Sequence, residues 1–156
     1  MSSAVVAEAD RRHTMTKTRH TTDPTRRRTD GTTVVVGGGL AGREAASLLA
    51  AEGATVEHVT TTPVADAGAE HTVHVVDAID AATLAAVGLD DADTVVVLGA
   101  DDARNFLVAQ LARSRFGADR VVVRVSDPDC RQLYERLGVE TLDATDAIAR
   151  TAVELC

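Results

Sequence analysis

The stretch Val34-Val35-Val36-Gly37-Gly38-Gly39-Leu40-Ala41-Gly42-Arg43 decides the fold. Its β-branched start predicts a strand, and the Ala- and Leu-rich residues 40–52 predict a helix. The glycines between them have the spacing Gly-x-Gly-x-x-Gly. Gly37 would permit the tight turn, Gly39 would let the backbone approach a pyrophosphate, and Gly42 would let the helix pack close to the strand. The loop from Gly37 to Gly42 therefore predicts a phosphate site of a nucleotide, with a purely structural turn as the alternative.

The same alternation of strand and helix continues to the end of the chain. Valine-rich runs that are apolar on both faces indicate a parallel sheet covered by helices on both sides. We predict an α/β fold of the Rossmann-like, doubly wound type, with a six-stranded parallel sheet in the order 3-2-1-4-5-6. The predicted strands are 32–36, 54–59, 71–76, 94–98, 120–125 and 139–142. The predicted helices are 40–52, 80–87, 102–115, 128–137 and 144–155.

Composition excludes several classes of protein. The chain has 156 residues, 45% of them apolar and 2% aromatic, which suits one domain with an aliphatic core and offers few aromatic rings for stacking nucleic-acid bases. Lys17 is the only lysine, so Schiff-base lysines and the Walker A lysine are excluded. The Tyr-x-x-x-Lys pair of short-chain dehydrogenases is also missing, because Gly138 follows Tyr134 at that spacing.

The cysteine and hydropathy patterns predict a cytoplasmic location. Cys130 and Cys156 form neither a disulfide framework nor a metal-binding spacing, which favours a reducing compartment. No apolar run is long enough to cross a membrane, and the start of the chain does not resemble a signal peptide. Any role at a membrane is therefore expected to pass through a partner protein.

The net charge of −8 is distributed unevenly along the chain. Residues 1–31 hold seven basic and four acidic residues and few apolar ones, which predicts a disordered basic tail. A solvated linker or a true start at Met15 is favoured there over contact of Arg26, Arg27 and Arg28 with nucleic acid or acidic lipid. Residues 32–156 hold nine basic and twenty acidic residues, which is typical of proteins from salt-accumulating cytoplasms. An acidic face that attracts cations or a basic partner is the alternative.

The ribose-binding acid of a dinucleotide site is expected roughly 20 residues after the glycines, at the end of the second strand. Thr60 occupies that place, and its hydroxyl is a weaker partner than a carboxylate. No Arg or Lys lies between residues 44 and 103 to meet the 2′-phosphate of NADP. Weak NAD(H) binding, a mononucleotide such as AMP, ADP or ATP, and a decayed site all stay open.

Asp77 follows the third strand, at the sheet edge where open α/β folds bind ligands. It would accept a hydrogen bond from an adenine amino group or, equally, cap the following helix. His71 and His74 are three residues apart on a strand and point to opposite faces, so we expect no metal site there or with His58. No pair of acids suggests general acid–base catalysis, and no catalytic residues are predicted.

The order of these motifs resembles the TrkA-N domain, the nucleotide-binding N-terminal lobe of regulators of potassium conductance and of Trk/Ktr potassium-uptake subunits. The resemblance covers residues 32–156 and rests on the combination of its parts. These are the glycine loop, Asp77-Ala78, Leu89-Asp90-Asp91-Ala92-Asp93-Thr94-Val95-Val96, Asp101-Asp102 with Asn105, Val123-Arg124-Val125 with Pro128, and Leu137-Gly138-Val139-Glu140.

The resemblance implies a role for each matching residue. The glycines would hold phosphates, Thr60 would stand in the place of the ribose acid, and Asp77 and Ala78 would border the adenine. Gly99 and Ala100 would line the second half of the site. Arg124 would reach phosphates or a neighbouring subunit, and the helix 144–155 would pack across a dimer.

The resemblance also implies a function. The chain is expected to be a cytoplasmic regulatory subunit, a homodimer or larger ring, that couples occupancy by NAD(H) or an adenine nucleotide to a membrane potassium transporter or channel. Three departures are Thr60, Val76 where glycine is usual, and an end at Cys156 without the C-terminal lobe of many relatives. The alternatives are an NAD(P)-dependent oxidoreductase and an interaction module whose nucleotide site has decayed.

Overall fold

The computed structural model describes residues 31–63 and 70–156. The predicted basic tail, apart from Gly31, lies outside the described residues. Within the described part, six strands follow one another in the predicted sequence order, and helical segments connect all of them except the second and third. The strands are β1 (Thr32–Val36), β2 (Thr55–Thr60), β3 (Thr72–Val75), β4 (Thr94–Val97), β5 (Arg120–Val125) and β6 (Glu140–Asp143).

In residues 31–63 and 70–156, five α-helices connect and flank these strands. They are α1 (Gly39–Ala51), α2 (Ala81–Ala86), α3 (Asp102–Gln110), α4 (Arg131–Leu137) and α5 (Ala144–Leu155). A π-helical turn, Leu111–Arg115, extends α3, and 3₁₀ turns at Leu89–Asp91 and Pro128–Cys130 precede β4 and α4. Every predicted helix is therefore present, with ends that differ by a few residues.

The sheet is entirely parallel and has the order β3-β2-β1-β4-β5-β6, which confirms the predicted topology. β1 lies in the middle, and Val35 pairs with His58 of β2 on one side and with Val96 of β4 on the other. The strand order reverses between β1 and β4. In open α/β sheets this reversal opens a crevice beyond the carboxyl ends of the strands.

Alternate residues of the strands enter two separate apolar clusters. On one face, Val34 and Val36 join the larger cluster, which includes buried residues of α2, α3 and α4. On the other face, Val35 packs with Val56 and with Ala46 of α1. The core is aliphatic as predicted, except that Phe116 and Tyr134 enter the larger cluster.

Aspartate side chains cap the beginnings of four helical segments. The carboxylates of Asp80, Asp101, Asp127 and Asp143 each accept a main-chain N–H from the segment that follows. Gly53, Gly88, Gly117 and Gly138 follow helical segments and have the positive φ angles that commonly end helices. Across the described ranges, no helix is both long and apolar enough to span a bilayer.

Candidate functional site

A cavity of about 680 Å³ lies beyond the carboxyl ends of the strands. It reaches from the end of β3, across the glycine loop after β1, to the segments that follow β4 and β5. Its position coincides with the strand-order reversal between β1 and β4, where this class of sheet binds ligands. The predicted residues that line it are Gly37, Gly38, Gly39, Thr60, Asp77, Ala78, Gly99, Ala100 and Arg124.

The floor of the cavity is formed by three consecutive glycines in the left-handed region. Their φ angles are +72° at Gly37, +87° at Gly38 and +51° at Gly39. Other residues adopt this conformation only at a cost, so the sequence requires glycine here. Gly38 caps α1 without a side-chain hydrogen bond, and the first turn of α1 carries no acidic residue. The first N–H groups of α1 are thus free of the carboxylate caps that aspartates supply elsewhere.

Gly39 and Gly42 have opposite surroundings. A β-carbon added to Gly39 would have no atom within 4 Å, so the space above it is open. One added to Gly42 would lie 2.0 Å from the carbonyl oxygen of Gly37 and 2.7 Å from Nε2 of His58. The predicted close packing of α1 on the loop is therefore present at Gly42. Gly42 itself is buried under the loop, and it does not line the cavity, nor do Leu40 and Ala41.

His58 lies directly below this loop. Its side chain is completely buried, and its Nε2 is 2.9 Å from the carbonyl oxygen of Gly37. Burial lowers the pKa of His58, the hydrogen bond to Gly37 opposes that shift, and His71 adds to the lowering. The rings of His58 and His71 are 6.4 Å apart between centroids. One sequence signal pointed to the contact with Gly37: His58 is a polar residue on the face of β2 whose neighbouring positions are buried.

The side chains of His58, His71 and His74 do not converge on one point. His71 lies beside His58, whereas His74 contacts the carboxylate of Glu57 at 2.9 Å. Glu57 and His58 are successive strand residues and face opposite sides of the sheet, so the predicted separation of His71 and His74 is present. Among the described residues, no three His, Cys, Asp or Glu side chains are close enough together to hold a metal ion.

Thr60 ends β2 at the wall of the cavity. It is only 2% exposed, and its hydroxyl is occupied by a local turn. The oxygen accepts the N–H of Thr62 at 3.1 Å and donates to the carbonyl of Thr62 at 3.3 Å. Thr61 and Thr62, which the sequence reasoning did not select, are exposed and line the cavity with it. A ribose would thus meet threonine hydroxyls rather than a carboxylate.

Asp77, Ala78 and Ile79 form the wall beyond β3. Two roles were predicted for Asp77, contact with an adenine and capping of α2. The capping role belongs to Asp80 instead. Oδ1 of Asp80 accepts the N–H of Thr83 at 2.8 Å, which lowers the pKa of the Asp80 carboxyl. The Asp77 carboxylate is exposed at the cavity and carries no capping role.

The opposite wall carries two arginines and a buried amide. Asn105 is 3% exposed, and its Nδ2 donates to the carbonyls of Gly99 at 2.7 Å and Arg124 at 3.2 Å. These bonds hold the ends of β4 and β5 together. Arg124 lines the cavity, and its buried Nε has no hydrogen-bond partner among the described residues. Arg104, which the sequence reasoning did not select, lines the same wall from the first turn of α3.

The charged groups of the cavity suit a bound anion. The ionisable side chains that line the cavity are Asp77, Asp101, Arg104 and Arg124. Asp101 is occupied by capping α3, through hydrogen bonds of 2.9 Å to the N–H of Ala103 and 3.2 Å to that of Arg104. The described lining thus combines free main-chain N–H groups at one end with guanidinium groups at the other.

Three solved structures resemble this fold closely. The NAD(P)-binding domain of an exopolyphosphatase-related protein from Archaeoglobus fulgidus is 21% identical, with a TM-score of 0.64, over 80% of this chain and 96% of that one. The Kef CTD of Shewanella denitrificans in its AMP-bound form is 24% identical, with a TM-score of 0.69, over 80% and 79%. ADP-bound GsuK, a channel, is 23% identical, with a TM-score of 0.70, over 81% and 34%.

These likenesses show the fold. The match to GsuK covers about a third of that longer chain. A comparison with curated protein sequences finds no significant match. The family model of the TrkA-N domain matches residues 33–143, from the second residue of β1 to the last residue of β6. Because that match spans most of the chain and the whole sheet, the chain belongs to the TrkA-N domain family.

Proposed function

We propose that this chain is a regulatory, nucleotide-binding lobe that serves a membrane potassium transporter or channel. The observation that carries the proposal is the cavity floored by Gly37, Gly38 and Gly39 at the strand-order reversal. Membership of the TrkA-N family supports the same role, as do neighbours bound to AMP and ADP and one that is a channel. The proposed location is the cytoplasm, at the inner face of a membrane through the partner.

The proposed ligand is an adenine nucleotide, either NAD(H) or a mononucleotide such as AMP, ADP or ATP. Phosphates would lie on the glycine loop, and the adenine would lie beside Asp77. The occupied hydroxyl of Thr60 weakens the usual reason for preferring NAD, since no carboxylate meets the ribose. Arg104 and Arg124 favour further phosphate groups at the other end of the cavity.

We propose a binding role rather than an enzymatic one. A hydride-transferring enzyme needs a group that moves a proton at the substrate, which is most often His, Lys, Tyr or an acid with a shifted pKa. Among the described residues, the cavity is lined by no histidine, lysine, tyrosine or cysteine. The NAD(P)-binding neighbour keeps an NAD(P)-dependent oxidoreductase as the second candidate, with a substrate site supplied by another chain.

We further propose that α5 mediates assembly into a homodimer or larger ring. α5 has no buried residue. Its large apolar side chains are therefore in contact with solvent: Ile148, Val153 and Leu155 are 69%, 76% and 83% exposed. Ile148, Ala152 and Leu155 follow helical spacing, so they form an apolar stripe. In the proposed assembly, a second copy of the chain would cover this stripe.

Thermal unfolding in molar KCl tests the nucleotide proposal. NAD, NADH, NADP, AMP, ADP and ATP are added separately to the purified chain. A ligand at 100 times its dissociation constant stabilises the folded state by about 2.7 kcal/mol, so a true ligand raises the melting temperature. No shift with any of the six would contradict the proposal and favour the decayed module. Turnover of a nicotinamide cofactor with a small carbonyl compound would favour the oxidoreductase.

A further inference from the structure

A histidine lies beneath the glycine loop, on a strand whose buried positions are otherwise apolar or threonine. On this face of β2, His58 stands between Val56 and Thr60, and all three are buried. Its Nε2 lies 2.9 Å from the carbonyl oxygen of Gly37, 21 residues earlier in the chain. This contact joins the second strand to the first residue of the loop.

The chemistry of the pair fixes the tautomer of the ring. A carbonyl oxygen only accepts hydrogen bonds, so Nε2 of His58 must carry the proton. Nδ1 is buried and has no hydrogen-bond partner among the described residues. Burial lowers the pKa of His58 and so favours the neutral ring, in which Nε2–H donates to Gly37 and Nδ1 is unprotonated.

Both polar groups of Gly37 are therefore held by consecutive residues of β2. Its N–H donates to the carbonyl of Val59 at 2.7 Å, and its carbonyl accepts from His58. That carbonyl oxygen points toward Gly42, where an added β-carbon would lie 2.0 Å from it. In a trans peptide the C=O and the following N–H point in opposite directions, so the N–H of Gly38 is directed away from the imidazole.

This orientation matters for an anion on the loop. A free peptide between two glycines in the left-handed region can rotate at small cost, because neither residue has a β-carbon. Rotation of the Gly37–Gly38 peptide would bring a carbonyl oxygen, with its partial negative charge, toward a bound phosphate. It would also remove one N–H donor from that side of the loop.

We propose that His58 is a positioning residue of the glycine loop. By donating Nε2–H to the Gly37 carbonyl, it holds the Gly37–Gly38 peptide in the orientation that accepts a phosphate. The proposal rests on the nucleotide site proposed above and assigns one of its determinants to a residue outside the cavity. A histidine that only fills space in the core would have no such effect.

Two substitutions separate positioning from space filling. His58→Gln keeps a neutral N–H donor at the end of the side chain, whereas His58→Leu fills the space without a donor. His74→Gln is the matched control, because His74 lies on the neighbouring strand and contacts Glu57 on the opposite face of the sheet. His58→Val is a second variant without a donor, in case leucine does not fold.

ADP is the probe for the binding measurement, and unliganded melting curves show that each variant is folded. We expect His58→Leu and His58→Val to weaken ADP binding by about tenfold, the usual effect of losing one such hydrogen bond. His58→Gln should restore binding to within about threefold of the unaltered chain, and His74→Gln should leave it unchanged. Unchanged binding in His58→Leu, or equal losses in His58→Leu and His58→Gln, would overturn the proposal.

A measurement without ligand keeps this proposal separate from the nucleotide site. Nitrogen-15 NMR of the unaltered chain should show the Nε2–H tautomer at His58. The amide resonances of Gly38 and Gly39 should change position in His58→Leu and stay close to their original positions in His58→Gln and His74→Gln. If the unaltered chain binds no nucleotide, the proposed function is wrong. The amide resonances of Gly38 and Gly39 still test, in that case, whether His58 positions the loop. Unchanged Gly38 and Gly39 resonances in His58→Leu would overturn the role of His58.

Discussion

Individual glycines of the loop have separable roles that the Gly-x-Gly-x-x-Gly pattern alone does not distinguish. Gly39 faces open space, so the proposed ligand would need glycine there, whereas Gly42 lies against main-chain atoms, so the fold needs glycine there. The place of Thr60 was predictable by counting along the chain from the glycines. Its occupied hydroxyl was not, because the hydrogen bonds to Thr62 depend on how the chain turns after β2. The contact of His58 with Gly37 was equally hidden, since it joins residues 21 positions apart.

Substitution of Gly42 by alanine should destabilise the fold strongly. The added β-carbon would overlap the Gly37 carbonyl, and overlap with main chain is relieved only by moving α1 or the loop. We expect a loss of about 1–3 kcal/mol in the free energy of unfolding, measured with urea. Glu44→Ala is the control, because it places the same residue at an exposed position of the same helix, where a β-carbon is already present. A Gly42→Ala chain no less stable than Glu44→Ala would contradict the close packing of α1 on the loop.

At the scale of elements, the helices and strands were predictable because their apolar periodicity and their caps agree. The observed ends differ from the predicted ones where an aspartate side chain caps the segment. Asp80 caps α2 and is not its first residue. Residues 128–130 form a 3₁₀ turn, capped by Asp127, before α4 begins. The connection between α3 and α4 was not predictable. The hydroxyl of Tyr134 in α4 donates to the carbonyl of Asp102 at 2.8 Å, across 32 residues.

Tyr134→Phe should lower stability through loss of this connection. The side chain is fully buried, so the Asp102 carbonyl would lose a partner, and we expect a loss of about 1 kcal/mol at neutral pH. Burial, with the nearby Asp102, raises the pKa of Tyr134 from 10.0 to about 12. The neutral phenol is thus favoured in the folded state, and this contribution is complete below pH 10 and lost as the pH rises toward about 12.

Urea unfolding of both chains across that pH range checks the prediction. The difference in the free energy of unfolding between the unaltered chain and Tyr134→Phe should shrink between pH 10 and about 12. A constant difference across this range would show that the tyrosine hydroxyl is not held as described.

At the scale of the whole molecule, the fold class and the strand order could be predicted from the sequence. Valine runs without polar alternation require a sheet covered on both faces, and the glycine loop fixes where its central strand ends. What packs against α5 could not be predicted from the sequence, because the described part of one chain leaves the apolar stripe of this helix uncovered. The excess of acidic residues in 32–156 indicates an origin in a salt-rich cytoplasm, and that origin stays a prediction.

Assembly through α5 is testable by mass in solution. We expect the unaltered chain, of 16.3 kDa, to sediment as a dimer or larger species in molar KCl. Ile148→Glu places a charge in the apolar stripe at a residue that is 69% exposed, so it should produce monomers with an unchanged circular dichroism spectrum. Val153→Glu, which replaces a similarly exposed apolar residue on a different side of the same helix, is the control. A monomeric unaltered chain, or an assembly unaffected by Ile148→Glu, would contradict the proposal.

Calorimetric titration of two alanine variants tests the central claim most directly. Gly39→Ala and Gly88→Ala each add a β-carbon to a glycine of positive φ that has nothing within 4 Å, but only Gly39 lines the cavity. Each chain is titrated with the adenine nucleotide that gives the largest thermal shift. We predict that the unaltered chain and Gly88→Ala bind it equally and that Gly39→Ala binds it at least about tenfold more weakly, since its methyl group occupies the place of a phosphate. Equal binding by Gly39→Ala, or no binding by the unaltered chain, would contradict the claim that this loop holds a nucleotide.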